Sequence, residues 1–236
     1  MSVASSPAPG IRRAMILAAG RGERMRPLTD DRPKPLLQVG GKSLVEYHLD
    51  ALQRAGIRDV VINTAWQGQK LRDALGTGER YGVAIRYSDE GASALETGGG
   101  IFKALPFLAP GPFLVVNGDI WTDWRLPGGF TLGAQDLAHL VLVPNPEHHP
   151  AGDFPLAEGR VTGGDGSRFT FSGIGIYREA FFAGCEPGAF PLLPLFRRAI
   201  AAGRVSGELH RGRWFDIGTP ARLASLDAEL RVATRI

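Results

Sequence analysis

A single cysteine, Cys185, in 236 residues rules out an intrachain disulfide and leaves no material for a thiolate metal cage or a redox pair. Long apolar runs are missing too: no stretch reaches the roughly 20 residues a helix needs to cross a bilayer. Met1 to Gly10, rich in Ser, Ala and Pro, lacks the apolar core of a secretory signal, so residues 1–12 are expected to form a mobile tail and the chain to work in a reducing cytoplasm. Strong net charge is also absent. Lys and Arg total 27 against 24 Asp and Glu, and the basic residues fall in short groups such as Arg12-Arg13, Arg197-Arg198 and Arg211-Gly212-Arg213. This scatter does not form the stripe that nucleic acid or an anionic membrane requires, and small anionic substrates suit it better. Neither an internal repeat nor a Pro- or Ser-rich linker interrupts the body, so residues 13–236 are expected to fold as one domain, monomeric or in a small homo-oligomer.

Apolar runs alternate with amphipathic segments in the first half, the pattern of a parallel sheet with helices on its faces. Ala14 to Ala18, Val60 to Thr64, Ala84 to Tyr87 and Phe113 to Asn117 read as strands. Leu44 to Ala55 and Gln67 to Leu75 read as helices ending at Gly56 and Gly76, and Thr97 is expected to cap a short helix carrying Ile101, Phe102, Ala104 and Leu105. Further on, Leu140 to Val143 and Arg168 to Tyr177 read as extended chain and Leu192 to Ala202 as a helix. Val205 to His210 and Arg213 to Ile217 are expected to form an edge hairpin around Gly212. Thr219 followed by Pro220 announces a terminal helix through about residue 232.

The first strand empties into Leu17-Ala18-Ala19-Gly20-Arg21-Gly22-Glu23-Arg24-Met25-Arg26-Pro27-Leu28-Thr29, followed by Pro33-Lys34-Pro35. Glycines let backbone N–H groups approach phosphate oxygens, while Arg24, Arg26 and Lys34 supply opposing charge. Met25 stands where a G-x-G-x-x-G fingerprint needs its third glycine, and the strand ending at Asn63-Thr64 carries no acidic residue for a ribose, which weakens a dehydrogenase reading. No G-x-x-x-x-G-K-[ST] run occurs either, which removes the usual P-loop ATPase. The loop is read as a nucleotide polyphosphate site.

Asn117-Gly118-Asp119 lies just past the apolar run Phe113 to Val116, at the end of a strand where open α/β sheets gather their ligands. Much later comes Trp214-Phe215-Asp216-Ile217-Gly218-Thr219. Two carboxylates suffice for Mg2+, which keeps waters and phosphate oxygens in its remaining positions. Asp119 and Asp216 are therefore the expected metal ligands.

These stretches, with Phe171-Ser172-Gly173-Ile174, resemble in order the motifs of the sugar-1-phosphate nucleotidyltransferases across residues 14–230. The resemblance implies a Rossmann-like α/β fold of the GT-A type, with a mixed, mostly parallel sheet flanked by helices. Leu95-Glu96-Thr97-Gly98-Gly99-Gly100-Ile101-Phe102-Lys103-Ala104-Leu105, Val116 to Asp123 and His148-His149-Pro150-Ala151-Gly152-Asp153-Phe154 resemble the members that transfer UMP from UTP to N-acetylmuramic acid α-1-phosphate. On that footing Arg24 and Lys34 are the catalytic cations. Ala18, Ala19, Gly20, Gly22, Glu23, Arg24, Lys34 and Gly98 bind the nucleotide, and Asn117, Asp153, Glu158 and Gly173 bind the sugar phosphate. Adjacent histidines in an extended loop point opposite ways, so His148 and His149 are not read as a metal pair. A thymidylyl- or guanylyltransferase acting on a hexose 1-phosphate remains open, as does a non-catalytic nucleotide-binding subunit. A hydride-transferring enzyme ranks last.

Overall fold

The computed structural model describes residues 10–233. In chain order the strands are β1 (Arg13–Leu17), β2 (Gln38–Val39), β3 (Lys42–Ser43), β4 (Asp59–Thr64), β5 (Ala84–Asp89), β6 (Phe113–Asn117), β7 (Ile120–Thr122), β8 (Ala138–Val143), β9 (Phe154–Ala157), β10 (Arg160–Val161), β11 (Arg168–Tyr177), β12 (Val205–Leu209) and β13 (Trp214–Asp216). The helices are α1 (Leu44–Arg54), α2 (Gly68–Leu75), α3 (Glu96–Leu108), α4 (Leu193–Ala201) and α5 (Pro220–Ala233). The main sheet has the order β5-β4-β1-β6-β11-β8-β12-β10-β9. All of its strands run one way except β10 and β11, the mixed, mostly parallel arrangement expected.

Side-chain alternation explains why both faces are covered, since successive residues of a strand point to opposite sides. Ala14 and Ile16 of β1, Val60 and Ile62 of β4, and Leu114 and Val116 of β6 pack with Val45, Leu49 and Leu52 of α1 and Leu71 of α2. The intervening Met15, Val61, Phe113 and Val115 pack with Ile101, Ala104 and Leu108 of α3 and Phe196 of α4. Ile11, inside the segment read as tail, is buried in the first of these layers; residues 1–9 lie outside the described residues. A third cluster joins Met25, Leu37, Val39, Leu44, Trp121, Ile217, Leu226 and Leu230, so α5 braces the phosphate loop and the β2–β3 hairpin.

Two local expectations are corrected. The Val205–His210 and Arg213–Ile217 segments form no hairpin: β12 runs parallel to β8 inside the main sheet, while β13 pairs antiparallel with β7. The chain between them is held by Asp123, whose Oδ1 lies 2.8 Å from His210 Nε2 and accepts from the Arg213 amide at 2.9 Å, a non-local hold invisible to local turn rules. Thr97 does not cap α3, which starts at Glu96, and the Gly99 amide instead donates to Phe190 O at 3.1 Å. Thr219 does cap α5, accepting from the Arg222 amide at 3.4 Å. For α1 the sequence reading missed a start signal: Glu46 accepts from the Ser43 amide and hydroxyl at 2.8 and 2.7 Å.

Candidate active site

The carboxyl ends of β1, β4 and β6 open onto a cleft of about 490 Å3, where ligands collect in open α/β sheets. Its wall contains Ala18, Ala19, Gly20, Gly22, Glu23, Arg24, Lys34, Asn117 and Asp119. Gly22 is in the left-handed region at φ 66°, and a Cβ there would stand 3.2 Å from both Lys34 Cβ and Thr29 Cγ2. Glycine thus lets the loop turn tightly over the lysine stem. Gly118 is confined in the same way, since a Cβ would lie 2.6 Å from Leu17 O. That close approach of the β1 and β6 ends sets Asp119 beside the phosphate loop.

Lys34 is buried, and its ammonium donates to Asp119 Oδ2 at 2.7 Å. Asp216 is delivered from the far end of the chain by the β7–β13 ladder, in which it pairs with Ile120, and the Ile217 amide donates to Asp119 O at 3.0 Å. Its own Oδ2 is held by Arg222 Nη1 at 2.8 Å, with His148 Nε2 at 3.4 Å from the same oxygen. Each carboxylate is therefore gripped through one oxygen. The Oδ1 atoms of Asp119 and Asp216 have no hydrogen bond or ion pair among the described residues. Two free carboxylate oxygens on adjoining backbone segments suit a divalent cation that takes its other ligands from phosphates and water. No group of three His, Cys, Asp or Glu side chains able to hold a metal occurs among the described residues.

His48 lies beneath this turn, wholly buried. Burial pushes its pKa down to about 4 despite a backbone hydrogen bond to Ile120, and its Nε2 has no partner. It is neutral near pH 7 and packs as part of the floor.

Asp216 adjoins the cleft through Gly218 without being in its wall, and four other expected site residues are not in that wall either. Gly98 packs against Phe190, whose Cδ2 would be 2.5 Å from an added Cβ, and it is not in the cleft wall. Asp153 is occupied in shaping its own loop: Oδ2 accepts from the Phe171 amide at 2.7 Å and Oδ1 lies 3.1 Å from His149 Nε2. Glu158 is exposed on the β9–β10 turn. Gly173 sits at φ 83° in the irregular stretch of β11, against Asn117, so it borders the site through that side chain.

The sequence reading missed a buried relay behind the loop. The Ala18 amide donates to Asn63 Oδ1 at 2.6 Å, Asn63 Nδ2 donates to Glu90 Oε1 at 2.7 Å, and Glu90 Oε2 accepts from the Leu95 amide at 2.7 Å. Asn63 and Glu90 both line the cleft, as does Glu96, a non-glycine residue at φ 56°. Strain of that kind concentrates where geometry serves function. Polar residues at the carboxyl ends of β4 and β5 were the available signal. Asn63→Ala is expected to orphan the buried Ala18 amide, costing about 1–3 kcal/mol and weakening nucleotide affinity. Urea unfolding and a nucleotide titration check it, and unchanged values in both would remove the relay from the site.

The fold and this carboxylate-and-cation cleft define a phosphate-handling transferase, and the comparisons agree. The sequence profile of the nucleotidyl transferase family matches residues 13–152, and the chain belongs to that family. It is 52% identical over 226 residues, covering 92% of this chain and 97% of the relative, to an N-acetylmuramate alpha-1-phosphate uridylyltransferase of Neisseria meningitidis serogroup B. It is 39% identical to the protein of the same name from Caulobacter vibrioides, covering 97% and 99% of the two chains. Among solved structures, the inositol-1-phosphate CTP transferase of T. maritima shares the fold with a TM-score of 0.75 at 20% identity, covering 95% and 96%. The protein is a nucleotidyltransferase.

Proposed function

We propose that this chain transfers UMP from UTP to N-acetylmuramic acid α-1-phosphate, forming UDP-N-acetylmuramic acid and releasing pyrophosphate. The observation that carries the reading is likeness along nearly the whole chain to two enzymes named for that reaction. The cleft supports it, because its wall combines a glycine loop, cations and a carboxylate and needs no activated side-chain nucleophile. The attacking group is a phosphate that is already ionised near neutral pH, so no general base is required. Catalysis then rests on alignment and charge stabilisation.

In this reading the Gly20–Arg24 backbone and the Arg24 guanidinium hold the triphosphate, and Arg24 offsets the charge of the departing pyrophosphate. The Lys34 ammonium, fixed at the cleft wall by Asp119, supports the α-phosphate as charge develops there. Asn117 orients the sugar phosphate. Asp119 and Asp216 would hold Mg2+, which when bound supplies Lewis-acid charge at the phosphate oxygens. No helix among the described residues is long and apolar enough to cross a membrane, and we place the reaction in the cytoplasm.

A matrix of UTP, dTTP, CTP and GTP against sugar 1-phosphates, read by pyrophosphate release, tests the assignment. UTP with N-acetylmuramic acid α-1-phosphate is expected to give the highest kcat/KM. Greater efficiency with dTTP and glucose 1-phosphate, or with GTP and mannose 1-phosphate, would overturn the substrate assignment and leave the nucleotidyltransferase chemistry standing.

A further inference from the structure

The proposed sugar substrate carries a second anion, the carboxylate of its lactyl ether, on the same ring as the anomeric phosphate. A phosphate bound beside Asp119 and Asp216 brings that carboxylate within one sugar ring of them. Backbone N–H groups or an arginine could recognise it, and a side chain that does so must stand near the two aspartates and have donors left to give.

Arg222, in the first turn of α5, meets these conditions. Its Nη1 is committed to Asp216 Oδ2 at 2.8 Å, which anchors one corner of the guanidinium. Its Nε and Nη2 have no hydrogen bond among the described residues. Guanidinium presents five N–H donors in a rigid fork, and an Nε–Nη2 edge matches a carboxylate through two parallel hydrogen bonds. Arg222 is not itself in the cleft wall, but Gly218 is, and a Cβ there would lie 2.9 Å from Arg222 Nη1, so only this side-chain-free residue stands between that corner of the guanidinium and the cleft. Two other arginines of the second half are engaged elsewhere. Arg213 binds Glu229 at 2.7 Å and stacks on Trp121, and Arg168 donates to Asp153 O at 2.8 Å.

We propose that Arg222 is the specificity-determining residue that recognises the carboxylate of the sugar substrate, anchored by Asp216 on one side and offering its free edge on the other. His148, 3.4 Å from the same Asp216 oxygen, closes the opposite flank of this anchor. The inference rests on the muramate reading above.

The test compares N-acetylmuramic acid α-1-phosphate with N-acetylglucosamine α-1-phosphate, which lacks only the lactyl group, for the wild type, Arg222→Gln and Arg222→Lys. Mn2+ binding to each protein is followed by electron paramagnetic resonance. Arg222→Gln is expected to lower the ratio of kcat/KM values, muramate over glucosamine, by at least about tenfold, with Arg222→Lys between it and the wild type because charge remains and the fork is lost. Mn2+ affinity is expected to stay within about threefold, since Asp216 keeps both oxygens. A ratio unchanged in Arg222→Gln overturns the inference even if the wild type prefers muramate. So does a parallel loss with both sugars accompanied by weakened Mn2+ binding, which would make Arg222 only a support for Asp216. A wild type without muramate preference removes the substrate assignment and this inference together.

Discussion

Asp119→Asn is expected to lower turnover by at least about a hundredfold, the usual scale for loss of a main electrostatic element, and to weaken divalent-cation binding in parallel. In this structure Oδ2 receives the Lys34 ammonium, and in the proposed mechanism Oδ1 is the atom offered to a cation. Asn keeps an acceptor for the lysine but loses the negative charge, so the fold is expected to survive while the metal site does not. Asp119→Ala is a harsher change, because the Lys34 side chain is only 9% exposed and would be left unpaired. Breaking a fully buried pair costs about 3–5 kcal/mol, and the cost here is lower because the Asp119 side chain is 39% exposed. Asp216→Asn is expected to match Asp119→Asn in turnover, since its carboxylate is the other half of the proposed cation site. Steady-state rates across a Mg2+ titration, with Mn2+ binding measured separately, check both; near-normal turnover of Asp119→Asn at saturating Mg2+ would refute the metal assignment.

Lys34→Ala is expected to slow the chemical step by at least about a hundredfold while changing UTP affinity by less than about tenfold. Only an interaction that strengthens on the way to the transition state gives such a split. The structure places the ammonium in the wall of the cleft with Asp119 as its partner and surrounds its stem with Gly22 and Thr29. Little freedom is then left to lose when charge develops on the α-phosphate. Arg24 is exposed and meets phosphates that are charged before reaction begins, so Arg24→Ala is expected to weaken UTP binding first. Single-turnover rates at saturating UTP, set beside equilibrium affinities, separate the two. A Lys34→Ala enzyme with a normal single-turnover rate and poor UTP affinity would assign the lysine to ground-state binding.

The chain's local chemistry was sufficient for its first half. Short continuous apolar runs separated by amphipathic helices suit a parallel sheet buried on both faces, and β1, β4, β5 and β6 form where Ala14 to Ala18, Val60 to Thr64, Ala84 to Tyr87 and Phe113 to Asn117 were expected. That the glycine loop and Asp119 reach the cleft wall was legible because each follows on a strand end and the sheet's parallel order brings such ends to one edge, whereas Lys34, well beyond the end of β1, is brought there by the loop folding over its stem at Gly22. Tertiary structure alone decided the rest, and the common cause is distance along the chain. β13 finds β7 and not its neighbour β12, which is how Asp216 comes beside Asp119. Asn63 reaches Ala18 and Glu90 only because β4 lies between β1 and β5. Asp153 and Glu158 fall outside the cleft wall, the first accepting from the Phe171 amide and the second exposed on a turn, a placement only the fold shows. A residue's type fixes what it can bind; the partners that the fold supplies decide whether any of that capacity is left over, as it is at the free edge of Arg222.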